Sequence, residues 1–317
     1  MLASSTQWRM LPRLRFNQEI LMKVFAKTLI TVAAAAAALA MTPAQAVVVT
    51  FGGQNMNFVG GDQSGLTSNY APTDNKTVIG SGFYGETFDL ATANQDLGTP
   101  MTDAIPAAGI SIQENNGCSI NSWASVGVTV SGGGFSVRKG TASNPSGAAA
   151  PAGDSTCFGF GPQIGGSLPA STKIDYTNLL AGLSAANSGA TFRISYMGVY
   201  YGSIDNYNNI AFYSSGNTLL TGSADPLLND GVLTGAEILG SQGGTSGNQF
   251  QPQSNVYVNL AFDADESFKA FEFRTTGVAF ELDNIWVGVT QVPEPESLAL
   301  IGLGLLALAA SRRRKPL

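Results

Sequence analysis

Short runs in which apolar side chains recur at every second position dominate the middle of the chain, and that period belongs to half-buried β-strands. Val126, Val128 and Val130 alternate with Gly127 and Thr129. Ser131-Gly132-Gly133-Gly134 then turns the chain, and Phe135 and Val137 resume the pattern opposite Ser136 and Arg138, which reads as a hairpin. Phe192, Ile194 and Tyr196 repeat the alternation, as do Val256, Val258, Leu260 and Phe262, and then Phe271 and Phe273 with Glu272 and Arg274 between and after them. No stretch carries a helical stripe of any length; the best candidates, 176–186 and 230–239, are short and interrupted by glycine. Many short strands separated by Gly, Ser and Asn turns predict an all-β body, a sandwich or jelly roll, over residues 47–290.

Such a body needs a polar surface, and here it is not made of charge. Charged residues are 12% of the 317, about half the roughly 25% of average globular usage. Gly, Ser, Thr, Asn and Gln must face the water instead. The net charge is −6 and the basic clusters lie at the two ends, so nothing in the body would neutralise phosphates and nucleic acid is excluded as a partner. The chain has no histidine, which removes Ser-His-Asp and Cys-His catalysis and His-ligated zinc. The expectation is a protein that is not an enzyme and holds no cofactor.

The two ends read as addresses. Lys23 and Lys27 precede an apolar run with six consecutive alanines, and Ala44-Gln45-Ala46 supplies a small-x-small cleavage site; residues 22–46 are thus a secretory signal peptide, cut by signal peptidase after passage through the Sec machinery. Residues 1–21 are a mis-assigned start or a long n-region. At the other end, 291–317, Val292-Pro293-Glu294-Pro295 is followed by an apolar span over 298–310 and by the basic stop Arg312, Arg313, Arg314 and Lys315. The span is shorter than the roughly 20 residues of a comfortable bilayer crossing. It is expected to be a single transmembrane helix and temporary anchor, its basic end held on the cytoplasmic side. Cys118 and Cys157 are the only cysteines, and export predicts that they form one disulfide. Between them, 141–153 is rich in Ala, Pro and Gly and is expected to be a mobile surface loop.

Three groups bear on chemistry. Asp263, Asp265 and Glu266 offer oxygens of the kind calcium takes, but the EF-hand pattern is incomplete and a solvated turn explains the same residues. Glu281 and Asp283 would face one side of a strand, suggesting a carboxylate pair for glycoside hydrolysis or a sugar-binding face beside Trp286. Alternatively, the parity change from Phe280 and Leu282 to Ile285 and Val287 marks a β-bulge at Asp283-Asn284. Tyr196, Tyr200, Tyr201, Tyr207, Phe212 and Tyr213 form either a carbohydrate platform or, more ordinarily, core.

The tail from Val292 to Lys315 resembles the PEP-CTERM sorting signal of Gram-negative bacteria, a tail also catalogued as the C-terminal domain of ice-binding proteins. The resemblance implies an exosortase as processing partner and export across the inner membrane to the cell surface. The second half of the body is similar to exosortase-dependent surface proteins in the blocks 200–205, 207–208, 210–213, 255–259 and 280–285, and no catalytic residue carries over. Together these predict a non-catalytic surface or extracellular-matrix protein in contact with exopolysaccharide. The alternatives are a carbohydrate-active enzyme or a calcium-stabilised sugar-binding module.

Overall fold

The computed structural model describes residues 47–55, 65–71, 82–88, 110–112, 127–133, 135–139, 148–162, 165–263, 266–292, 302 and 304–306. In chain order the elements are β1 (Val48–Phe51), β2 (Gln54–Asn55), β3 (Leu66–Thr67), β4 (Phe83–Glu86), β5 (Ile110–Ile112), β6 (Thr129–Gly133), β7 (Phe135–Lys139), β8 (Cys157–Gly161) and β9 (Ala170–Asp175). Then follow α1 (Thr177–Ala186), β10 (Phe192–Gly202), β11 (Asn208–Ser215), β12 (Thr218–Leu219), β13 (Val232–Thr234), α2 (Gly235–Gln242), β14 (Val256–Ala261), β15 (Ala270–Thr275) and β16 (Phe280–Gln291). The body is mostly β-sheet and does not close into a barrel; α1 falls where the sequence places it, while α2 starts only at Gly235, because Val232–Thr234 of the expected 230–239 stretch pairs with β11 as β13. Thr234 and Glu237 form a reciprocal capping box at the start of α2, and Gly243 closes it in the left-handed conformation.

Two sheets share one core. The larger runs β1-β14-β10-β16-β8-β7-β5, with β4 also paired to β16; the smaller runs β12-β11-β15-β9-β6, with β13 also paired to β11. Pairing is antiparallel except between β5 and β7. Val258 and Leu260 of β14, Met197 and Val199 of β10 and Val287 of β16 pack in one cluster with Ile210 and Phe212 of β11 and Phe271 and Phe273 of β15. The rings of Phe273 and Phe280 stack across the two sheets with centroids 5.4 Å apart. The alternation along 256–262 and 271–273 therefore marks the core face, as its period requires.

Two expectations fail here. The Val128–Val137 stretch is not a hairpin: β6 pairs with β9 in the smaller sheet, while β7 pairs with β8 and β5 in the larger one. Alternation shows which side chains point inward but not which strand lies alongside, and the glycine run lets the chain step between sheets. The end of the supposed loop is packed rather than mobile. Ala148 and Ala150 are buried against Phe158, Phe160 and Ala279, and Pro151 lies so close to Gly202 that a Cβ there would sit 2.6 Å from its Cα. Small side chains that look like loop composition are here the means of close approach.

The bulge is present. Gly198 pairs with Trp286 and Tyr200 with Asp283, so two steps on β10 meet three on β16. On the other edge of β16 the neighbour changes at the same place, from β8, which ends its pairing at Leu282, to β4, which begins at Ile285. Asn284 takes a φ of 47°. Its backbone N–H donates to Asp283 Oδ1 at 2.7 Å, its Nδ2 donates to Leu66 O at 2.9 Å, and its carbonyl accepts the Tyr257 hydroxyl at 2.9 Å. Replacing Asn284 with Ala removes a buried side-chain hydrogen bond, worth about 1 kcal/mol or somewhat more, and adds about 1–2 kcal/mol of left-handed strain. Urea unfolding should show Asn284→Ala less stable by about 2–3 kcal/mol, and Asn284→Gly, which tolerates the φ, by about half of that.

Candidate functional site

Residues from 200–208, 255–259 and 280–285 meet in a buried polar knot. Ser203, at the end of β10 with a φ of 33°, donates its backbone N–H to Asn255 Oδ1 at 2.9 Å. It also gives its hydroxyl to Glu281 Oε2 at 2.7 Å. Asn255 Oδ1 accepts a second bond from Ala152 N–H at 3.0 Å, and its Nδ2 donates to Asn248 O and Gln251 O at 2.9 and 3.0 Å. All four bonding positions of one amide are thereby used to tie the segment around Ala152 and the 248–255 loop to the end of β10. Asn208 repeats the device nearby, donating to Ala279 O at 2.9 Å and accepting from Thr275 Oγ1 at 2.7 Å.

Glu281 and Asp283 do share one side of β16, as predicted, but both are buried in this region of the larger sheet. Of the six aromatic residues proposed as platform or core, Tyr196, Tyr200, Tyr201, Phe212 and Tyr213 are buried, and Tyr207 is half-exposed. Tyr196, Tyr200, Tyr257 and Trp286 form a second cluster on the far face of the larger sheet, with Gly85 leaving room for the indole.

A different surface is open. The outward-facing residues of the smaller sheet line up in cross-strand rows: Ser171, Arg274 and Asn209 in one, Lys173, Glu272 and Ala211 in the next. Over them lies a cleft of about 550 Å³ lined by Ser171, Asn209, Asn217, Glu272, Arg274 and Tyr207, among others. Arg274 Nε and Glu272 Oε2 are 2.7 Å apart, and the Tyr213 hydroxyl bonds both groups. Burial pushes the Glu272 carboxyl up, but the bonds from Tyr213, Arg274 and Ser171 outweigh it and hold the group below its usual range. Lys173 Nζ sits 4.1 Å from the centre of the Tyr213 ring and donates to Asn217 Oδ1 at 3.1 Å. Tyr207 donates its hydroxyl to Val278 O at 2.9 Å and rests one face on Gly277, where a Cβ would stand 2.5 Å from the ring. Asn209 Oδ1 is buried and has no hydrogen-bond partner among the described residues. The alternation of Glu272 and Arg274 with Phe271 and Phe273 marks two of these residues as outward-facing; nothing in the sequence brings Tyr207, Asn209 and Asn217 beside them.

Of the acidic group, Asp265 lies outside the described residues, and Glu266 accepts the backbone N–H of Val47. No group of three or more metal-ligating side chains occurs among the described residues. Cys157 is buried at the start of β8, while Cys118 lies outside the described residues, as do Ala44, Ala46, Pro293, Glu294, Pro295 and the basic stop Arg312, Arg313, Arg314 and Lys315. Val292 is described, and its N–H donates to Thr191 O at 2.8 Å. Residues 302 and 304–306 are helical, and among the described residues no helix is long and apolar enough to cross a membrane.

Burial pushes the Glu281 carboxyl well above its usual 4.5; the bonds from Ser203 and Ala149 oppose this in part, and the charge of Asp205 adds to it. The unfolded chain therefore releases this proton at a lower pH than the folded one, and stability falls as pH rises from about 4.5 towards the raised folded value. Denaturant midpoints measured across that range should fall less steeply for Glu281→Gln than for the parent.

No curated protein and no solved structure matches the chain. At the end of β16 the picture is different: residues 291–315 match the family model of the PEP-CTERM protein-sorting motif, so this chain carries the signal of an exported, surface-sorted substrate of an exosortase.

Proposed function

We propose that the protein is a non-catalytic component of the cell surface or extracellular matrix that contacts exopolysaccharide through its β-sandwich body. The sorting motif at 291–315 is the observation that carries this reading. A signal peptide over 22–46 starts export, the short apolar span holds the chain at the membrane for a time, and an exosortase acts near Pro293–Pro295. The motif begins on the last residue of β16, Gln291, so processing there separates the whole folded body from the anchor. A surface built from neutral hydrogen-bonding residues suits contact with hydroxyl-rich polymers. The chain has no histidine and keeps Glu281 and Asp283 inside the protein, which favours binding over hydrolysis. One disulfide, Cys118 to Cys157, fits an exported body.

Intact-mass measurement of protein released from the native host should find Arg312–Leu317 missing. Changing Pro293, Glu294 and Pro295 together to Ala should leave the tail attached and the protein in the membrane fraction. Recovery of full-length chain from the surface would refute removal, and retention of the parent in the cytoplasm would refute export.

A further inference from the structure

We propose that the cleft over β9, β15 and β11 is a binding site for an uncharged saccharide of one or two residues, or for that length of a longer chain. The proposal rests on the reading of the body as a polysaccharide-contacting module and names the place and the ligand chemistry. Its volume, about 550 Å³, lies within the usual 300–1,000 Å³ of small-molecule sites. Its two charged lining groups cancel, since Arg274 and Glu272 are paired at 2.7 Å. Lys173, beside the cleft, is occupied by Gly216 O, Asn217 Oδ1 and the Tyr213 ring. An anion entering here would meet no uncommitted cation. What the site offers is hydrogen bonding: Asn209, Asn217, Ser171, Thr275 and Thr276 line it with neutral polar side chains. Tyr207, supported from behind by Gly277, supplies an aromatic plane of the kind that packs on the C–H face of a sugar ring.

The test is calorimetric titration of exported full-chain protein with neutral glucan and galactan oligosaccharides and with uronate oligosaccharides, each at low salt and at about 0.5 M salt, where surface electrostatics are screened. A neutral oligosaccharide should bind with an affinity that salt changes less than about twofold, because no net charge is neutralised. Asn209→Ala and Tyr207→Ala should each weaken it by about tenfold or more. Asn217→Ala, on an exposed turn outside the core, should weaken it without disturbing the fold. Binding of uronates alone, lost in salt, overturns the proposal, as does neutral binding that survives all three substitutions. Failure of every saccharide to bind overturns it too, while correct sorting to the surface would still leave the destination standing.

A separate observation supports a second inference: the structure assigns Glu266 as the receptor for the new terminus that leader removal creates. Hydrolysis of the Ala46–Val47 peptide bond adds the hydroxyl of water to the Ala46 carbonyl and leaves an α-ammonium on Val47. That nitrogen already donates to Glu266 Oε2, across 219 positions of sequence, and the Val47 side chain is buried in the main core. Val49 N–H donates to Asp225 Oδ2 at 2.9 Å, so the first mature strand is held by a second carboxylate. Cleavage converts a neutral donor into a charged one without moving it, and so fastens β1 to the edge of the larger sheet.

Full-length chain with one alanine inserted after Ala46, exported in the native host, gives a mature protein one residue longer; N-terminal sequencing confirms the cut in both forms. The insertion should lower the melting temperature by roughly 3 °C, and in a Glu266→Gln background it should lower it little or not at all. Equal melting of the two forms, or a difference that persists without Glu266, overturns the assignment. A terminus other than Val47 in the parent overturns the premise of cleavage instead, and sequencing tells the two failures apart.

Discussion

The larger sheet depends on how β16 handles a change of neighbour in mid-strand. One edge is paired with β10 from Phe192↔Gln291 to Gly202↔Glu281; the other edge is shared by β8 and β4. Where one short strand gives way to the next, backbone groups lose their ladder partners inside the protein, and an unpaired buried amide or carbonyl is unfavourable by an amount comparable to a lost hydrogen bond. The left-handed residue at 284 turns its N–H towards the Asp283 carboxylate and its carbonyl towards the Tyr257 hydroxyl, while its side-chain Nδ2 donates to the Leu66 carbonyl. The strand can then run on with its side-chain parity reversed, placing Ile285 and Val287 in the core beyond the bulge where Leu282 and Phe280 filled it before.

The same solution recurs wherever the body must bury polar backbone. A chain with few charges cannot rely on ion pairs, and among the described residues the Glu272–Arg274 pair is a surface feature. Asn255, Asn208 and Asn259 perform that work, each bonding main chain from another segment. An amide carries both donors and acceptors and no net charge, so burying it fully bonded avoids the desolvation cost that a buried ion incurs. Where carboxyls are buried they are met by hydrogen bonds, from the Ser203 hydroxyl on Glu281, from Asn284 N–H on Asp283 and from Phe88 N–H on Glu86.

Sequence periodicity made visible what depends on one strand at a time. The core faces of β14 and β15 follow from alternation, and the bulge follows from a change of parity within β16. What it left hidden depends on pairs of strands. Val128 and Phe135 carry the right period for a hairpin, yet their strands lie in opposite sheets, because period fixes a face and says nothing of the neighbour. Asn255 looks like a turn residue until its bonds to Ala152 and Ser203, distant in sequence, are seen. The cleft was half legible: Glu272 and Arg274 had to face away from Phe271 and Phe273, but their meeting with Tyr213 and Asn209 needs the β11–β15 register.

The sorting motif gains meaning from where it is joined. It begins on Gln291, the final residue of the strand most embedded in the larger sheet, and Val292 is still bonded to Thr191. A body attached to a membrane through this point is held by the strand whose partners run along nearly its full length on the β10 side. Tension along such a strand is shared among many ladder bonds at once. A cut beyond Val292 would leave all of β16, and with it the core, intact.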